Sequence, residues 1–157
     1  MKVLEAAGDS LADGDKEKES SASCFPDSVF IHTSSTVDSS AHIGEGTNIW
    51  NFSNIQKNAR IGENCILGQN VNIGPNVVIG NRCKIQNNVS VYEGVELEDY
   101  VFCGPSMVFT NIQMPRSKYP QAESKFYKKT LIKEGSSIGA PSSCLSGIVN
   151  VFDLSAI

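Results

Sequence analysis

The sequence predicts a parallel β-helix, a fold in which short strands stack coil upon coil, and its periodicity carries the prediction. An aliphatic residue recurs at every sixth position, twelve times in succession, before a cysteine takes the thirteenth position. A period of six fits neither the 3.6-residue period of an α-helix nor the two-residue alternation of one long strand. A repeat of fixed length over most of a chain is typical of a solenoid. The aliphatic positions are Ile31, Val37, Ile43, Ile49, Ile55, Ile61, Leu67, Ile73, Ile79, Ile85, Val91 and Leu97.

Each six-residue repeat also carries the marks of a corner. Three places after the aliphatic position, seven of thirteen residues are Gly or Asn, the types that tolerate positive φ. Four places after it, all thirteen residues are uncharged, so each repeat offers a second inward-facing group. Three sides and three corners close a triangular coil of about 18 residues. This spacing predicts that Cys65 stacks on Cys83, Asn70 on Asn88, and Asn58 on Asn76.

The composition fits one soluble domain and argues against several kinds of protein. With 40% hydrophobic residues and a formal net charge of -4, the chain is not a typical nucleic-acid binder. No apolar run approaches the ~20 residues of a membrane span, and the first residues lack the order of a signal peptide, so we expect a cytoplasmic protein without a membrane partner. Five cysteines without a CxxC pair argue against a disulfide framework and a zinc site. We therefore predict no metal, and we interpret the cysteine stack as a reduced core ladder rather than a redox switch.

The chain divides into three parts with one interruption. Residues 1–28 are acidic and rich in Ser, which predicts a flexible tail. Residues 29–140 carry the repeat and form the predicted β-helix domain. The strict period is interrupted at about residues 111–131, which predicts an inserted loop. Residues 141–157 lack further Gly-containing repeats and are predicted to form an atypical C-terminal segment, either truncated or capping the helix in a different way.

The predicted loop region is cationic in an otherwise acidic chain. Between residues 116 and 133, six Lys and Arg residues stand against one Glu, for a local charge of 6 - 1 = +5. Three aromatic residues, Tyr119, Phe126 and Tyr127, lie in the same stretch. Such a surface suits a phosphate-bearing ligand with an apolar part, although a solvated lysine-rich loop has the same composition.

Two sets of motifs resemble a known group of enzymes. The repeats that begin Ile61-Gly62, Leu67-Gly68 and Ile73-Gly74 resemble the hexapeptide-repeat acyltransferase superfamily. This resemblance implies a left-handed β-helix, usually a homotrimer with acyl-CoA sites between subunits. The segment KIQNNVSVYEGVELEDYVFCGPSMVFTN, residues 84–111, together with PRS at 115–117 and YKKTL at 127–131, is similar to nucleotide-sugar N-acetyltransferases. The most similar group acts on UDP-2-acetamido-3-amino-2,3-dideoxyglucuronate.

The resemblance implies a reaction and a role for Asn111. Enzymes of this group transfer acetyl from acetyl-CoA to the 3-amino group of a UDP-linked amino sugar in surface-polysaccharide synthesis, including lipopolysaccharide synthesis. The chain has two histidines, His32 and His42, both distant in sequence from the loop, so no base is obvious. An uncharged amine is already nucleophilic and needs no strong base. Asn111 matches the residue thought to hold the sugar amine, while the departing thiolate takes the proton. Its alternative role is that of a turn former.

The remaining site residues are expectations of the same resemblance. Gln69, Asn87 and Tyr92 lie in matching motifs that meet the nucleotide sugar, and Arg116 is expected to pair with a carboxylate or phosphate. A structural role is the alternative for each of these four residues. We expect the cofactor-binding residues, which contact acetyl-CoA, to be Lys128, Lys129 and Gly139, the last through its backbone N–H at the oxyanion.

Two other interpretations remain at this point. The first is a degenerate, non-catalytic β-helix that serves as a scaffold or a nucleotide-sugar binding module, which the atypical C-terminal segment favours. The second is an O-acyltransferase, which the lack of a histidine near the loop disfavours. A zinc carbonic anhydrase on this fold would need three histidine ligands, and the chain has two.

Overall fold

A computed structural model describes residues 25–121 and 123–148 as a solenoid of parallel strands. Sheet 1 contains β1 (Phe30–Ile31), β4 (Asn48–Ile49), β7 (Ile66–Leu67), β10 (Lys84–Ile85), β13 (Phe102–Cys103) and β16 (Ser137–Ile138). Sheet 2 contains β2 (Thr36–Val37), β5 (Asn54–Ile55), β8 (Asn72–Ile73), β11 (Ser90–Val91), β14 (Val108–Phe109) and β17 (Ser143–Cys144). Sheet 3 contains β3 (His42–Ile43), β6 (Arg60–Ile61), β9 (Val78–Ile79), β12 (Val95–Leu97) and β15 (Thr130–Ile132).

The coil length is the predicted 18 residues. Ile31 pairs with Ile49, and Ile49 pairs in turn with Leu67, so consecutive coils differ by 18 residues. All strand pairs are parallel, and each sheet takes every third strand of the chain. This all-β architecture of parallel sheets agrees with the predicted left-handed parallel β-helix. No helix in the described residues has the length and apolarity that a membrane span requires.

Both predicted inward rows form the core. In the first row, every aliphatic residue from Ile43 to Leu97 is at least 95% buried. In the second row, almost every residue from Ala41 to Met107 is buried to the same extent. The short side chains of the second row leave room for the long ones of the first, and together they fill the triangular interior. The core is therefore one continuous column, and the first residue of each two-residue strand faces outward, as His42 and Asn54 do.

The corners adopt the backbone conformation that the repeat predicts. Every sixth residue from Gly46 to Ser106 has a positive φ, including Asn58, Asn70 and Asn88 near +56 to +61°. Four of these corners hold residues that seldom adopt this conformation: Phe52, Arg82, Tyr100 and Ser106. The neighbouring coils impose the corner there, because the strands on both sides of it are already paired.

The predicted stacks form hydrogen-bonded ladders. The Asn70 amide donates to Asn88 Oδ1 at 3.0 Å, and the Asn58 amide donates to Asn76 Oδ1 at 3.3 Å. These contacts confirm the structural interpretation of the asparagine columns.

The stacked cysteines are buried in the core as free thiols. The Cys65 and Cys83 thiols each donate to a backbone carbonyl of the next coil at 3.1 Å. Thr47 and Ser53 use their hydroxyl groups in the same way. Small polar residues of the second row thus satisfy backbone groups at the corners, as buried polar groups require.

The glycine that follows many of the aliphatic residues is required by the close approach of the next coil. A Cβ on Gly80 would clash with Asp99 Oδ1 and lie 2.7 Å from the Asp99 backbone nitrogen. A Cβ on Gly62 would lie 2.6 Å from the Gly80 backbone oxygen. Since real Cβ contacts are longer, these positions exclude side chains, which explains the Gly-containing hexads.

The solenoid continues past the predicted domain end at residue 140. Strand β17 pairs with β14, with Val108 opposite Ser143, and the Leu131 backbone N–H donates to the Ile148 carbonyl at 3.0 Å. Strand pairing thus extends to Cys144, because the hydrogen-bonding edge of β14 accepts a strand without a Gly-containing repeat. The predicted acidic tail lies outside the described residues up to residue 24, as does the end of the chain from residue 149.

Candidate functional site

An inserted loop projects where sheet 2 turns into sheet 3. Val95 pairs with Thr130, a separation of 35 residues, so this coil holds 35 - 18 = 17 extra residues. We call residues 110–121 and 123–129 the inserted loop; β15 begins at Thr130, so Leu131, which was predicted within the loop, belongs to a strand. At its base the Lys128 N–H donates to the Asn111 carbonyl at 2.8 Å. This contact joins the two ends of the loop, and we call it the neck of the loop.

Asn111 stands at this neck with its amide oriented. Its Nδ2 donates to the backbone carbonyl of Glu93 at 3.1 Å, one coil below, and the residue is partly buried. Within the described residues no hydrogen bond reaches Asn111 Oδ1. The side chain therefore has its donor committed to the scaffold and its acceptor available to a ligand N–H.

Glu93 is the site residue that the sequence did not reveal. Its Oε1 accepts from Asn76 Nδ2 at 3.0 Å and from Ser124 Oγ at 3.0 Å. Ser124 begins η1 (Ser124–Phe126), the single helical turn of the inserted loop in the described residues. Glu93 thus contacts the preceding coil, the loop and Asn111. The available signal was the asparagine column of Asn58 and Asn76, which is interrupted by Gly94 in the next coil.

A cleft lies beneath the neck of the loop on the sheet 3 side. It has a volume of about 350 Å³ and a mixed wall of aliphatic, amide and charged groups. Lys129 and Glu96 supply opposite charges to the wall without forming an ion pair with each other. A second cleft along the same face shares Asn76 and Val78 with it and extends to His42. The two clefts form one groove along the solenoid. The first is lined by Asn76, Val78, Gly94, Val95, Glu96, Lys129, Thr130 and Leu131.

The predicted cations of the loop are exposed and available. Lys128 borders a cleft of about 240 Å³ within the loop, and Arg116 donates to the carbonyl of Pro115 at 2.8 Å. No acidic side chain of the described residues pairs with Arg116, Lys128 or Lys129, whereas Lys125 pairs with Glu123. Three cations are therefore free to meet anionic groups of a ligand.

The other predicted residues lie on two different edges of the solenoid. Tyr92 is beside Glu93 on the edge that carries the loop, which we call the loop edge. Gln69, Asn87 and Gly139 lie on the edge between sheets 1 and 2, which we call the amide edge. There the Asn87 Oδ1 accepts from the Gln69 N–H at 2.9 Å, which gives Asn87 a structural role. Within one copy of the chain, the three residues of the amide edge therefore lie apart from Asn111, which is on the loop edge.

The amide edge has a shallow cleft of its own, with an aromatic wall. The cleft has a volume of about 310 Å³ and is lined by Trp50, Asn51, Ile66, Gly68, Gln69, Gln86 and Asn87. Trp50 is 46% exposed and packs against Phe30 with ring centroids 5.5 Å apart. At Gly139 an added Cβ would meet only the Ser142 hydroxyl at 3.7 Å, so its backbone is open to a ligand.

Nucleophiles and bases are scarce near the neck of the loop. Burial raises the pKa of the Cys103 thiol to about 12, and the other described cysteines are also buried in the core. His32 contacts Ser34 and Asn51 on the amide edge. No group of three or more His, Cys, Asp or Glu side chains in the described part of the chain is placed to hold a metal ion. The neck can therefore orient a nucleophile supplied by a ligand, without a thiol or imidazole of its own.

One family model agrees with the six-residue repeat in part of the chain. The family model "Bacterial transferase hexapeptide (six repeats)" matches residues 40–75 and 58–92. A comparison with curated proteins finds no match. A mutant of perosamine N-acetyltransferase from Caulobacter crescentus, solved with CoA and GDP-perosamine, is 22% identical with a TM-score of 0.39, covering 80% of this chain and 49% of that chain. PerB from Caulobacter crescentus with the same ligands is 19% identical with a TM-score of 0.35, covering 74% of this chain and 52% of that chain. The matched region is about half the length of these structures.

Proposed function

We propose that this chain is an acetyltransferase that moves acetyl from acetyl-CoA to the 3-amino group of a UDP-linked amino sugar, in the cytoplasmic steps of surface-polysaccharide synthesis such as that of lipopolysaccharide. The observation that carries the proposal is the orientation of Asn111, whose Nδ2 is held by the Glu93 carbonyl and whose Oδ1 faces no partner in the described residues. This geometry suits an amine that must be held by one N–H while its lone pair is left free. The hexapeptide coils supply the rigid support.

The role of Asn111 in this reaction is to orient the acceptor nitrogen. Its Oδ1 accepts one N–H of the amine, and the scaffold holds the amide still because Nδ2 is already bonded at 3.1 Å. When bound, acetyl-CoA supplies a thioester, whose acyl carbon gains the C–N bond as the C–S bond breaks and the thiolate takes the proton. Orientation of two bound substrates accounts for much of the rate in such a reaction. No strong base is needed, which agrees with a neck that has no thiol or imidazole of its own among the described residues.

The loop cations would bind the phosphate groups of the ligands. Lys128 and Lys129 lie next to Asn111 at the neck, and neither is paired with an acid among the described residues. We assign them to acetyl-CoA and Arg116 to a phosphate or carboxylate of the sugar nucleotide. Tyr92, on the same edge, would contact the sugar nucleotide. These groups fit a polyanionic ligand on chemical grounds.

The two separated groups of residues support a homotrimer as part of the proposal. Gln69, Asn87 and Gly139 lie on the amide edge, while Asn111 lies on the loop edge of the same chain. They would serve one site if the amide edge of one copy faced the loop edge of another. A closed ring of such head-to-tail contacts makes every site equivalent.

The test is a thiol-release assay with acetyl-CoA and a UDP-3-amino sugar, on protein whose mass is measured by light scattering. We expect acceptor-dependent release of CoA. Removal of the Oδ1 acceptor in Asn111→Ala should lower kcat by about 10- to 100-fold, the value of one hydrogen bond to a group that becomes charged. Asn54→Ala is the matched control, since it removes an amide hydrogen bond of 3.0 Å from the outer face of sheet 2. Its activity should match that of the wild type.

Each negative result has a distinct meaning. Full activity in Asn111→Ala would remove the proposed role of that residue. A well-folded trimer that binds the UDP-sugar and releases no CoA would replace the enzyme with a non-catalytic binding scaffold. Release with a sugar hydroxyl acceptor in place of the amine would favour an O-acyltransferase.

A further inference from the structure

Glu93 occupies the point where three separate segments of the chain meet. Its carboxylate Oε1 accepts from Asn76 Nδ2 in the preceding coil and from Ser124 Oγ in the inserted loop, both at 3.0 Å. Its backbone carbonyl accepts from Asn111 Nδ2 at 3.1 Å in the following coil. A partly buried side chain with this set of partners links the position of the loop to the rigid solenoid.

The local sequence explains why a glutamate takes this place. The asparagine column runs from Asn58 to Asn76, and its next position is residue 94. That position is Gly94, which has a φ of +95°. A larger residue is disfavoured there, because an added Cβ would lie 3.1 Å from the Lys128 carbonyl oxygen. Gly94 therefore lets the closing end of the loop pass, but it offers no amide to Asn76. The Glu93 carboxylate takes over that rung and extends the column to the loop.

We propose that Glu93 is a positioning residue of the candidate site, which anchors the inserted loop to the solenoid through Ser124 and sets the Asn111 amide through its own carbonyl. The anchoring concerns the structure alone, whereas its effect on acetyl transfer rests on the proposed function. The loop carries Lys128 and Lys129 at its neck, and Lys129 lines the cleft beneath it, so the anchor holds these cations beside the cleft. An unanchored loop would have to be ordered by the ligand, which weakens binding.

The side chain and the backbone of Glu93 make separable contributions. Glu93→Ala removes both carboxylate contacts and leaves the carbonyl that holds Asn111. Glu93→Gln keeps an Oε1 that can accept from both donors. Ser124→Ala removes the loop contact from the other side and leaves the Asn76 rung in place. Together the three variants separate the anchor from general damage to the coil.

The first experiment measures exposure of the loop by limited trypsin digestion at its lysines, together with the unfolding midpoint of the whole protein. Cleavage follows the population of the open loop when opening is fast. We expect Glu93→Ala and Ser124→Ala to be cleaved about tenfold faster, with no further gain in the double variant, because both break one contact. Glu93→Gln and the control Asn54→Ala should be cleaved at the wild-type rate.

The second experiment compares kinetic constants for acetyl transfer. Glu93→Ala should raise KM for acetyl-CoA about tenfold and leave kcat within about twofold, since Asn111 keeps its bond to the carbonyl. Asn111→Ala should lower kcat instead.

Several results would overturn the proposal that Glu93 anchors the inserted loop. They are an unchanged cleavage rate in Ser124→Ala, a Glu93→Gln loop as open as that of Glu93→Ala, or a loss of kcat alone in Glu93→Ala. If the wild type shows no transfer but the loop opens as expected, the proposed function fails and the anchor stands.

Discussion

Substitutions of Asn70 can measure separately how much the ladder hydrogen bond and the left-handed corner conformation contribute to the free energy of unfolding. Asn70 has a φ of +56° and donates through its amide to Asn88 Oδ1 at 3.0 Å. Asn70→Ala removes the hydrogen bond and places a Cβ-bearing residue without a local hydrogen-bonding group in the left-handed region. Asn70→Gly removes the same hydrogen bond, but glycine adopts this backbone conformation freely.

The expected magnitudes follow from these contacts. The ladder bond is exposed, so its loss costs about 0.5–1 kcal/mol in either variant. The left-handed conformation costs Ala about 1 kcal/mol more, as the lower end of the usual range. We therefore expect the free energy of unfolding to fall by about 2 kcal/mol in Asn70→Ala and by about 1 kcal/mol or less in Asn70→Gly. The corner, rather than the amide, accounts for the difference.

The assay is equilibrium urea unfolding followed by circular dichroism, with all proteins at one concentration because association changes apparent stability. Equal m-values are required for the comparison, since they show that the same surface is exposed on unfolding. If Asn70→Ala and Asn70→Gly lose the same stability, or if the alanine variant is the more stable, the argument from positive φ is refuted. The corners would then be set by strand pairing alone.

Two further predictions concern charge. The Lys133 ammonium, 2.9 Å away, and the Glu134 backbone N–H lower the pKa of Glu98, so its stabilising effect is present above the ordinary pKa of a glutamate and lost as pH falls through the lowered value. Thermal unfolding should show Glu98→Gln less stable than wild type near neutral pH and the difference shrinking under acid conditions; a constant difference would contradict this. Neutralising Lys128 and Lys129 together should weaken acetyl-CoA binding about tenfold at low salt and less at high salt, measured by calorimetry, and an unchanged affinity would return both to a solvated surface.

The candidate site shows how far the sequence reaches. Asn111 was predicted from a motif, and the structure adds the orientation of its amide, which depends on a carbonyl 18 residues away. Glu93 was not predicted, because a glutamate at a corner has the same local pattern whether it faces solvent or a loop. Its importance depends on Ser124, 31 residues later, and no periodicity relates the two. Gln69 and Asn87 were placed with Asn111 by motif and are found on another edge of the chain.

The sequence by itself determined the coil. A period of six, an inward aliphatic residue and a corner residue recur in every repeat, so local chemistry and burial point to the same structure at each step. Phe52 and Tyr100 adopt corner conformations that their own side chains disfavour, because paired strands on both sides leave no alternative. The tertiary structure alone decided where the loop is anchored, which edge carries each polar residue, and that the solenoid extends to Ser143–Cys144. These features depend on contacts between segments that are distant in sequence. Such contacts form, and contribute free energy, only when the coils are stacked.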